Sequence, residues 1–383
     1  MIIEYFRYAL LAFTVLVSTL VEETTPAAPV NAPDSTAVTF IFAGDIMQHG
    51  PQIEAARHAG DSSYDYRPCF SYIAPIISKK DFAIANLELT LAGKPFTGYP
   101  QFSAPDELAV ALREAGFDVL VTANNHSCDR GKAGVIRTTE VLDSLGMLRT
   151  GTFRDSADFA AHHPLILRKN DITVALYNYT YGTNGLPVHA PTIVNLMDSS
   201  RIVHDLKQAH KQQFDFVIVF FHWGNEYQST PNAQQEALAA LCRENGADVV
   251  IGSHPHVLQP MAYYAPSDTI PGGHLLVYSL GNYVSNQRDR YKDGGAMIEF
   301  TLSKTWNKKT VSQPAYHLTW VYNPYENGRK QYYILPVSQF ENDTLTDTAS
   351  RQKLQQFATD SRLLLNSSVS PVSEFQYNDS IPF

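Results

Sequence analysis

Several side chains of metal-ligand type stand at equivalent places in this sequence. Each follows closely on a run of apolar residues. They are Asp45, Glu88, Asn125, His126, His222, His254 and His256. Carboxylate, amide and imidazole groups together suit divalent metals such as Mn, Fe or Zn. We therefore expect these side chains to form one polar site that holds either two divalent metal ions or one.

His126 has a second interpretation besides that of a ligand. It follows Asn125 without a gap, so it could lie just outside the metals and donate a proton to a leaving oxygen. Asp129, three residues on, could orient it, and we take His126 and Asp129 as the candidate catalytic pair. Two metal ions beside such a pair would support hydrolysis of a phosphoester.

Polar and aromatic neighbours of these residues are candidates for contacts with substrate. They are Asn86, Asn124, Trp223 and Asn282. For Asn124 a turn that holds the loop is the preferred interpretation, and for Trp223 packing in the core is an equal alternative. Asn282 fits a loop-shaping or substrate-contacting role better than a metal role.

The segments around these side chains predict the elements that position them. Continuous apolar runs indicate strands buried on both faces, and the segments between them have the spacing of amphipathic helices. We predict strands over residues 38–42, 82–85, 117–121, 172–177, 216–221, 247–251 and 274–278. We predict helices over residues 105–115, 133–145, 201–211 and 233–244. This alternation is typical of an α/β fold with a largely parallel sheet, where ligands bind beyond the carboxyl ends of the strands. We expect the polar residues to lie along one edge of one such sheet.

The pattern changes after about Gly294. Residues 296–302 and 316–322 alternate as antiparallel strands do, and residues 351–365 indicate a helix. We predict a main domain over residues 37–302 and a C-terminal extension over residues 303–383, either an accessory subdomain or an extension of the sheet.

The N-terminal residues indicate export. An apolar run of about 14 residues, 8–21, follows Arg7, which is short for a membrane span and typical of a signal peptide. We predict a signal peptide or an N-terminal anchor over residues 1–23 and a linker rich in Thr, Pro and Ala over residues 24–36. The protein would then be periplasmic, on the cell surface or anchored to the membrane.

Composition excludes some partners. The chain is 44% hydrophobic and 17% charged, which is globular, and its formal net charge is −9. Because it contains no basic run, we expect no nucleic-acid partner. An anionic substrate stays open, since bound cations would invert the local field.

The ordered strand-end motifs resemble the CapA family of poly-gamma-glutamate capsule biosynthesis proteins. That family is similar in turn to the calcineurin-like metallophosphoesterases. The resemblance covers roughly residues 38–300. It rests on Gly44-Asp45-Ile46-Met47, Asn86-Leu87-Glu88, Thr122-Ala123-Asn124-Asn125-His126 with Asp129 and Gly131, His222-Trp223-Gly224, Gly252-Ser253-His254-Pro255-His256 and Ser279-Leu280-Gly281-Asn282-Tyr283.

The resemblance implies a four-layer α/β/β/α sandwich of the metallophosphoesterase type with a two-metal centre. One metal would be held by Asn125, His222 and His254. The other would be held by His256 and Asp45, with Glu88 in a bridging or nearby place. His126 would be the general acid or would stabilise the transition state.

Two departures from the wider superfamily concern the second metal. Asp45 is followed by Ile46 and Met47 rather than by an Asp-x-His motif, and Asn86-Leu87-Glu88 stands in about the place of Gly-Asp-x-x-Asp. That metal position is therefore short of a ligand. His49 could supply it, or could be an ordinary loop histidine.

Three functions are compatible with these residues. The first is an exported hydrolase of capsule synthesis, acting on a phosphoester or on the amide bonds of a polyglutamate chain. The second is a non-catalytic envelope component that binds an anionic polymer through a vestigial metal site, while capsule-assembly membrane proteins do the chemistry. The third is a nucleotide-scavenging phosphatase.

Overall fold

A computed structural model describes residues 35–58, 60–306, 308–326 and 328–377 of the chain. The predicted export segment and all but the end of the predicted linker lie outside the described residues. Within them, two β-sheets pack face to face, and helices cover the outer faces. In the described part of the chain, no helix is both long enough and apolar enough to span a membrane.

The first sheet has the strand order β18-β15-β14-β1-β2-β3-β4, with β13 beside β1 and β19 beside β15. Strands β1 to β4 run parallel, whereas β14, β15 and β18 are antiparallel additions. Its strands are β1 (Thr36–Ile46), β2 (Phe82–Leu87), β3 (Val119–Val121), β4 (Leu148–Thr150), β13 (Asn282–Val284), β14 (Gly294–Thr305), β15 (Lys308–Tyr322), β18 (Tyr333–Pro336) and β19 (Ser373–Glu374).

The second sheet has the order β11-β12-β10-β9-β7-β6. Its four central strands are parallel and its two edge strands antiparallel. The strands are β6 (Leu165–Lys169), β7 (Ile172–Thr180), β9 (Phe216–His222), β10 (Val249–Ser253), β11 (Met261–Tyr264) and β12 (His274–Val277). Two short ladders lie outside both sheets: β5 (Thr152–Phe153) with β8 (Ile193–Val194), and β16 (Tyr325–Glu326) with β17 (Arg329–Lys330).

Ten helices lie between these strands in the described residues. They are α1 (Gly50–Ala56), α2 (Arg67–Phe70), α3 (Ala74–Ile77), α4 (Glu107–Glu114), α5 (Gly131–Ser144), α6 (Ser156–His162), α7 (Ser199–Lys211), α8 (Ala233–Glu244), α9 (Val337–Phe340) and α10 (Thr348–Asn366). Asn232 caps α8 by accepting a hydrogen bond from the Gln235 N–H at 2.9 Å. Such caps satisfy backbone donors that the first helical turn leaves unpaired.

The alternation of side chains along the strands explains the four layers. Successive residues of a strand point to opposite faces of its sheet. In β1, Phe40 and Phe42 enter the core between the two sheets, whereas Ile41 packs into the core under the helices. In β9, Ile218 enters the shared core and Val219 faces α7 and α8. The predicted α/β/β/α sandwich is therefore confirmed.

The expectation of one sheet is wrong. Apolar runs show that a strand is buried on both faces, but they do not show which strands are hydrogen-bonded neighbours. The structure divides the predicted strands between two sheets, and the carboxyl ends of β1, β2 and β3 meet those of β7, β9 and β10 across the sandwich.

The C-terminal segment continues the first sheet. The boundary placed between residues 302 and 303 falls inside β14, and β15, β18 and β19 all pair within the same sheet. The helix predicted over residues 351–365 is α10, whose Leu354, Phe357 and Leu365 pack into the core between the sheets. Residues 303–377 therefore belong to the same compact unit as the strands that precede them.

Candidate metal centre

The strand ends bring the predicted ligands together from both sheets. Asp45 lies near the end of β1, and Glu88 follows β2 by one residue. Opposite them, His222 is the last residue of β9, and His254 and His256 follow β10. The candidate ligands are all buried, Asp45, Glu88 and His222 completely so.

Glu88 lies at the centre of the cluster. Its Oε1 is 3.7 Å from Nε2 of His222 and 3.7 Å from Nε2 of His256. Among the described residues, neither carboxylate oxygen has a hydrogen-bond partner. Burial, followed by the negative charge of Asp45, raises the pKa of Glu88 well above its ordinary value.

Two groups of possible ligands share Glu88. One is Glu88 with His222 and His254, and the other is Glu88 with Asp45 and His256. In each group the ligand atoms all lie within 4.8 Å of one another. A carboxylate common to both groups is placed as a bridging ligand would be.

Asp45 is the most heavily hydrogen-bonded of these side chains. Its Oδ1 accepts from Nδ2 of Asn86 at 2.7 Å and from the Ser253 hydroxyl. Its Oδ2 lies 3.3 Å from the His254 N–H and 3.2 Å from Nδ1 of His256. Burial alone would raise the pKa of Asp45, but the hydrogen bond and charge of His256 hold it well below its usual range.

The imidazoles are oriented by amide side chains. Asn86 Nδ2 is 3.1 Å from Nδ1 of His222, whose Nε2 is 2.8 Å from Oδ1 of Asn125. Asn282 Oδ1 is 3.1 Å from Nδ1 of His256. Burial and the neighbouring His254 lower the pKa of His222 well below 6.5, so that ring is neutral, as a metal ligand must be.

The His126 ring is fixed at one nitrogen. Nδ1 of His126 lies 2.7 Å from Oδ2 of Asp129, which also accepts the Phe102 N–H at 2.7 Å. The rings of His126 and Phe102 pack in a T-shaped arrangement, with 4.6 Å between their centroids. Since Asp129 occupies Nδ1, Nε2 is the nitrogen that can exchange a proton with a bound molecule.

The residues predicted to contact substrate are buried in the framework of the site. Asn86 and Asn282 orient ligand histidines, and Asn124 donates to the Leu87 carbonyl at 2.7 Å while accepting from the His126 N–H. Trp223 is completely buried, stacks on Phe221 and donates to the Tyr278 carbonyl. Trp223 therefore packs in the core, which is the alternative stated above for it.

Tyr181 is a site residue that the sequence pattern did not reveal. Its ring lies 4.6 Å from that of His254 and 6.3 Å from that of His222, and 43% of the residue is exposed. Burial, with the charges of Glu226 and Glu88, raises its pKa to about 12. The strand β7 was predicted to end at residue 177 but continues to Thr180, so Tyr181 also follows directly on a parallel strand.

Glu226 was missed as well. It lies in the loop after β9, four residues beyond His222, and its carboxylate forms a third group of possible ligands with His254 and His256. His49 belongs to none of the three groups; its Nδ1 lies 3.2 Å from Oε1 of Gln52 and 3.3 Å from the Asn286 N–H.

Comparison with known proteins identifies the family. Over residues 39–287 the sequence matches the family described as bacterial capsule synthesis protein PGA_cap. The chain belongs to this family. The resemblance to CapA proteins that the strand-end motifs indicated is thereby confirmed.

Two curated members show how far the similarity extends. The capsule biosynthesis protein CapA of Bacillus anthracis is 28% identical over 304 residues, which are 76% of this chain and 71% of that protein. The PGA biosynthesis protein CapA of Bacillus subtilis (strain 168) is 28% identical over 291 residues, 73% and 71% of the two chains. Among solved structures, the calcineurin-like phosphoesterase YfkN of Bacillus subtilis is similar with a TM-score of 0.46 and 13% identity, over 86% of this chain and 98% of that one.

The donor set of this family member fits divalent cations. A buried carboxylate without hydrogen-bond partners is costly, and a cation beside it removes that cost. The site also contains Nδ1 of His254, buried and without a hydrogen-bond partner in the described part of the chain. Burial lowers the pKa of His254 to about 3, which keeps the ring neutral and its nitrogens available.

Proposed function

We propose that this protein is an exported, metal-dependent hydrolase of capsule synthesis that cleaves a phosphoester in an anionic polymer or in a precursor of one. The observation that carries the proposal is Glu88, a completely buried carboxyl group whose Oε1 lies 3.7 Å from Nε2 of His222 and 3.7 Å from Nε2 of His256. The names of the two CapA relatives support capsule or PGA synthesis as the setting. Membrane proteins of capsule assembly would be its partners.

The proposed ligands form two cation positions that share Glu88. Glu88, Asn125, His222 and His254 would hold one cation of the Mn, Fe or Zn type, and Asp45, Glu88 and His256 would hold a second. When bound, such cations supply Lewis-acid activation of water and of a phosphoryl group. Asn86 and Asn282 fix the imidazole rings that face Glu88, as hydrogen-bonded neighbours of metal ligands commonly do.

His126 would supply the proton. Asp129 holds Nδ1 of this ring at 2.7 Å, so Nε2 would protonate the oxygen that leaves when the phosphoester bond breaks. Tyr181 and Tyr227, both nearly half exposed beside the ligand histidines, would form the walls that a substrate meets. This assignment replaces the buried Trp223 as the aromatic contact.

A purely binding role is the second candidate, and Asp45 is the observation that favours it. Both oxygens of Asp45 are already engaged by hydrogen-bond donors, so the second cation position is weaker than the first. A protein with one firm cation could bind an anionic polymer without cleaving it.

Two substitutions separate these functions. The full chain is stripped with a chelator and reloaded with Mn²⁺, and metal content and hydrolysis of an aryl phosphate are measured. We expect His222→Ala to lose bound metal together with activity, since it removes a ligand. We expect His126→Ala to keep its metal and to lose about 10²- to 10⁴-fold in kcat, since it removes only the proton donor.

The matched control is His204→Ala, which alters an exposed histidine of α7. It should retain both metal and activity. A wild-type protein that holds metal yet cleaves no phosphoester, or that cleaves γ-glutamyl oligomers instead, would overturn the proposed reaction. Export is tested separately by fractionating cells that express the full chain; recovery in the cytoplasm alone contradicts it.

A further inference from the structure

The loop between β9 and α8 places a third carboxylate beside the site. The carboxylate of Glu226 and the ring nitrogens of His254 and His256 lie within 4.8 Å of one another. Glu226 is exposed, whereas both histidines are buried. These two histidines are divided between the groups that share Glu88, one in each. Glu226 therefore lies beside both proposed cation positions on the exposed side of the site. Glu88 lies between the same two positions on the buried side.

Hydrogen bonds hold this loop against the histidine loop. The Tyr227 N–H donates to the Pro255 carbonyl at 2.7 Å, which ties the residue after Glu226 to the residue between the two histidines. Gln259 Nε2 donates to the carbonyls of Gln228 at 2.9 Å and Thr230 at 3.2 Å. The position of Glu226 is therefore set by contacts of the loop backbone that follows it.

Backbone strain is concentrated where the two loops meet. Tyr227, His254 and His256 have φ angles of 64°, 102° and 59°. Residues with a Cβ rarely adopt this left-handed region, at a cost of about 1–3 kcal/mol each. Such conformations persist where the surroundings dictate them, and they cluster at functional sites. Here they occur at both ligand histidines and at the residue after Glu226.

The two cation positions are unequally supplied with ligands. The position of His222 has Glu88, His254 and the Asn125 oxygen, which lies 2.8 Å from Nε2 of His222. The position of His256 has Glu88 and Asp45, and Asp45 already accepts hydrogen bonds at both oxygens. Divalent metals of this type take four or more ligands, so the second position is short of one.

We propose that Glu226 is the solvent-side ligand that completes the Asp45–Glu88–His256 cation position. The proposal rests on the function proposed above and deepens it by naming a ligand that the strand-end motifs do not include. An exposed carboxylate on a loop can move a short distance without disturbing the core. The second cation should therefore bind more weakly than the first and depend on Glu226.

The test measures metal binding rather than activity. The chelator-treated full chain is titrated with Mn²⁺ by calorimetry and by the loss of the free-ion paramagnetic resonance signal. Glu226→Gln should retain the tight binding step and weaken the other by at least about tenfold, since the amide keeps the size but loses the charge. Glu226→Asp, which restores the charge on a shorter side chain, should recover part of the affinity.

Glu140→Gln is the control, because Glu140 is an exposed carboxylate of α5 outside the three groups. It should bind Mn²⁺ as the wild type does. A Glu226→Gln titration that superimposes on that of the wild type overturns the ligand assignment and leaves the proposed function standing. A wild-type protein that takes up no Mn²⁺ overturns both. Equal unfolding midpoints of the metal-free variants verify that each has folded.

Discussion

At the scale of single residues, the site is organised by buried side chains that fix neighbouring side chains through hydrogen bonds. Asp45 receives donors from both sheets, Asn86 contacts Asp45 and His222 at once, and Asn282 fixes His256. Each is completely buried, and each is hydrogen-bonded to at least one candidate metal ligand. The same logic applies to Asp129, which touches His126 and the Phe102 backbone.

Asp129→Asn should therefore impair catalysis without impairing metal binding. The carboxylate accepts the Nδ1 proton of His126 and stabilises the charged ring, whereas an amide stabilises it less and can favour the wrong tautomer. We expect kcat for an aryl phosphate to fall by about 10²- to 10⁴-fold. The pH profile of kcat should also change, because the amide stabilises the charged ring less than the carboxylate does.

Metal content is the readout that separates this positioning role from a structural one. It should equal that of the wild type in the Asp129→Asn variant. A parallel loss of metal and activity would show that Asp129 maintains the loop rather than the reactivity of the ring.

At the scale of elements, the site depends on how the end of β7 meets the loop after β3. Asn178 of β7 accepts the Ala123 N–H at 2.7 Å and thus links the second sheet to the loop that carries Asn125 and His126. Gly151 makes this contact possible. A Cβ built on Gly151 would lie 2.1 Å from Oδ1 of Asn178 and 2.4 Å from the Ala123 nitrogen, and its φ is +114°.

Gly151→Ala should accordingly destabilise the protein and displace the Asn125–His126 loop. We expect a loss of about 2–4 kcal/mol in the free energy of unfolding, from steric overlap added to backbone strain. Gly146→Ala is a matched control, because Gly146 also has a positive φ of +68°, but a Cβ added to it would meet no other atom within 4 Å. It should cost only about 1 kcal/mol.

Urea denaturation of the two variants measures the difference between them. Equal losses would mean that the space between Gly151 and Asn178 is not tightly constrained. A larger loss for Gly151→Ala, with weaker Mn²⁺ binding, supports the link between the sheets.

The sequence predicts elements and their polar ends better than it predicts how the elements pair. The strand before His222 and the helix at α8 were located within a residue, because apolar runs and amphipathic spacing are local signals. The separation into two sheets was not visible in those signals, since it is decided by contacts between distant strands. Tyr181 was missed because polar Asn178 interrupts the apolar run of β7, although it is paired within the strand.

Loop residues were hardest to predict. Glu226 looks like any exposed carboxylate in the sequence, and only the hydrogen bond from Tyr227 to Pro255 brings it to the histidines. Loops are positioned by tertiary contacts rather than by their own periodicity. The sequence leaves the fourth ligand of the second cation position open. Glu226 is proposed for it from the structure, in a loop that no local sequence pattern distinguishes.

At the scale of the whole molecule, burial of neutral histidines couples the fold to pH. Within the described residues, burial is the largest cause of a lowered pKa at His49, His222, His254, His274 and His317. A histidine that stays neutral when folded gains a proton when unfolded at a pH below 6.5. The unfolded state then binds more protons than the folded state, so stability falls as the pH falls.

His274 isolates this effect, because it lies at the start of β12, outside the ligand groups, and is nearly completely buried. Burial lowers its pKa to about 4 from 6.5, and its Nδ1 lies 3.1 Å from the Ala247 carbonyl. Its stabilising contribution is present above pH 6.5 and is lost progressively down to about pH 4. Between pH 6.5 and pH 5 that loss is roughly 2 kcal/mol.

His274→Asn removes the titration while an amide donor can still reach the Ala247 carbonyl. Urea unfolding of the metal-free protein at pH 7.5 and pH 5 should therefore show a loss of stability that is smaller in the variant by roughly 2 kcal/mol. The comparison is made within each protein, so a constant cost of the substitution cancels. His204→Ala, which removes an exposed histidine, should lose as much as the wild type on acidification. If His274→Asn and wild type lose equal stability, His274 is protonated in the folded state and burial does not hold its ring neutral.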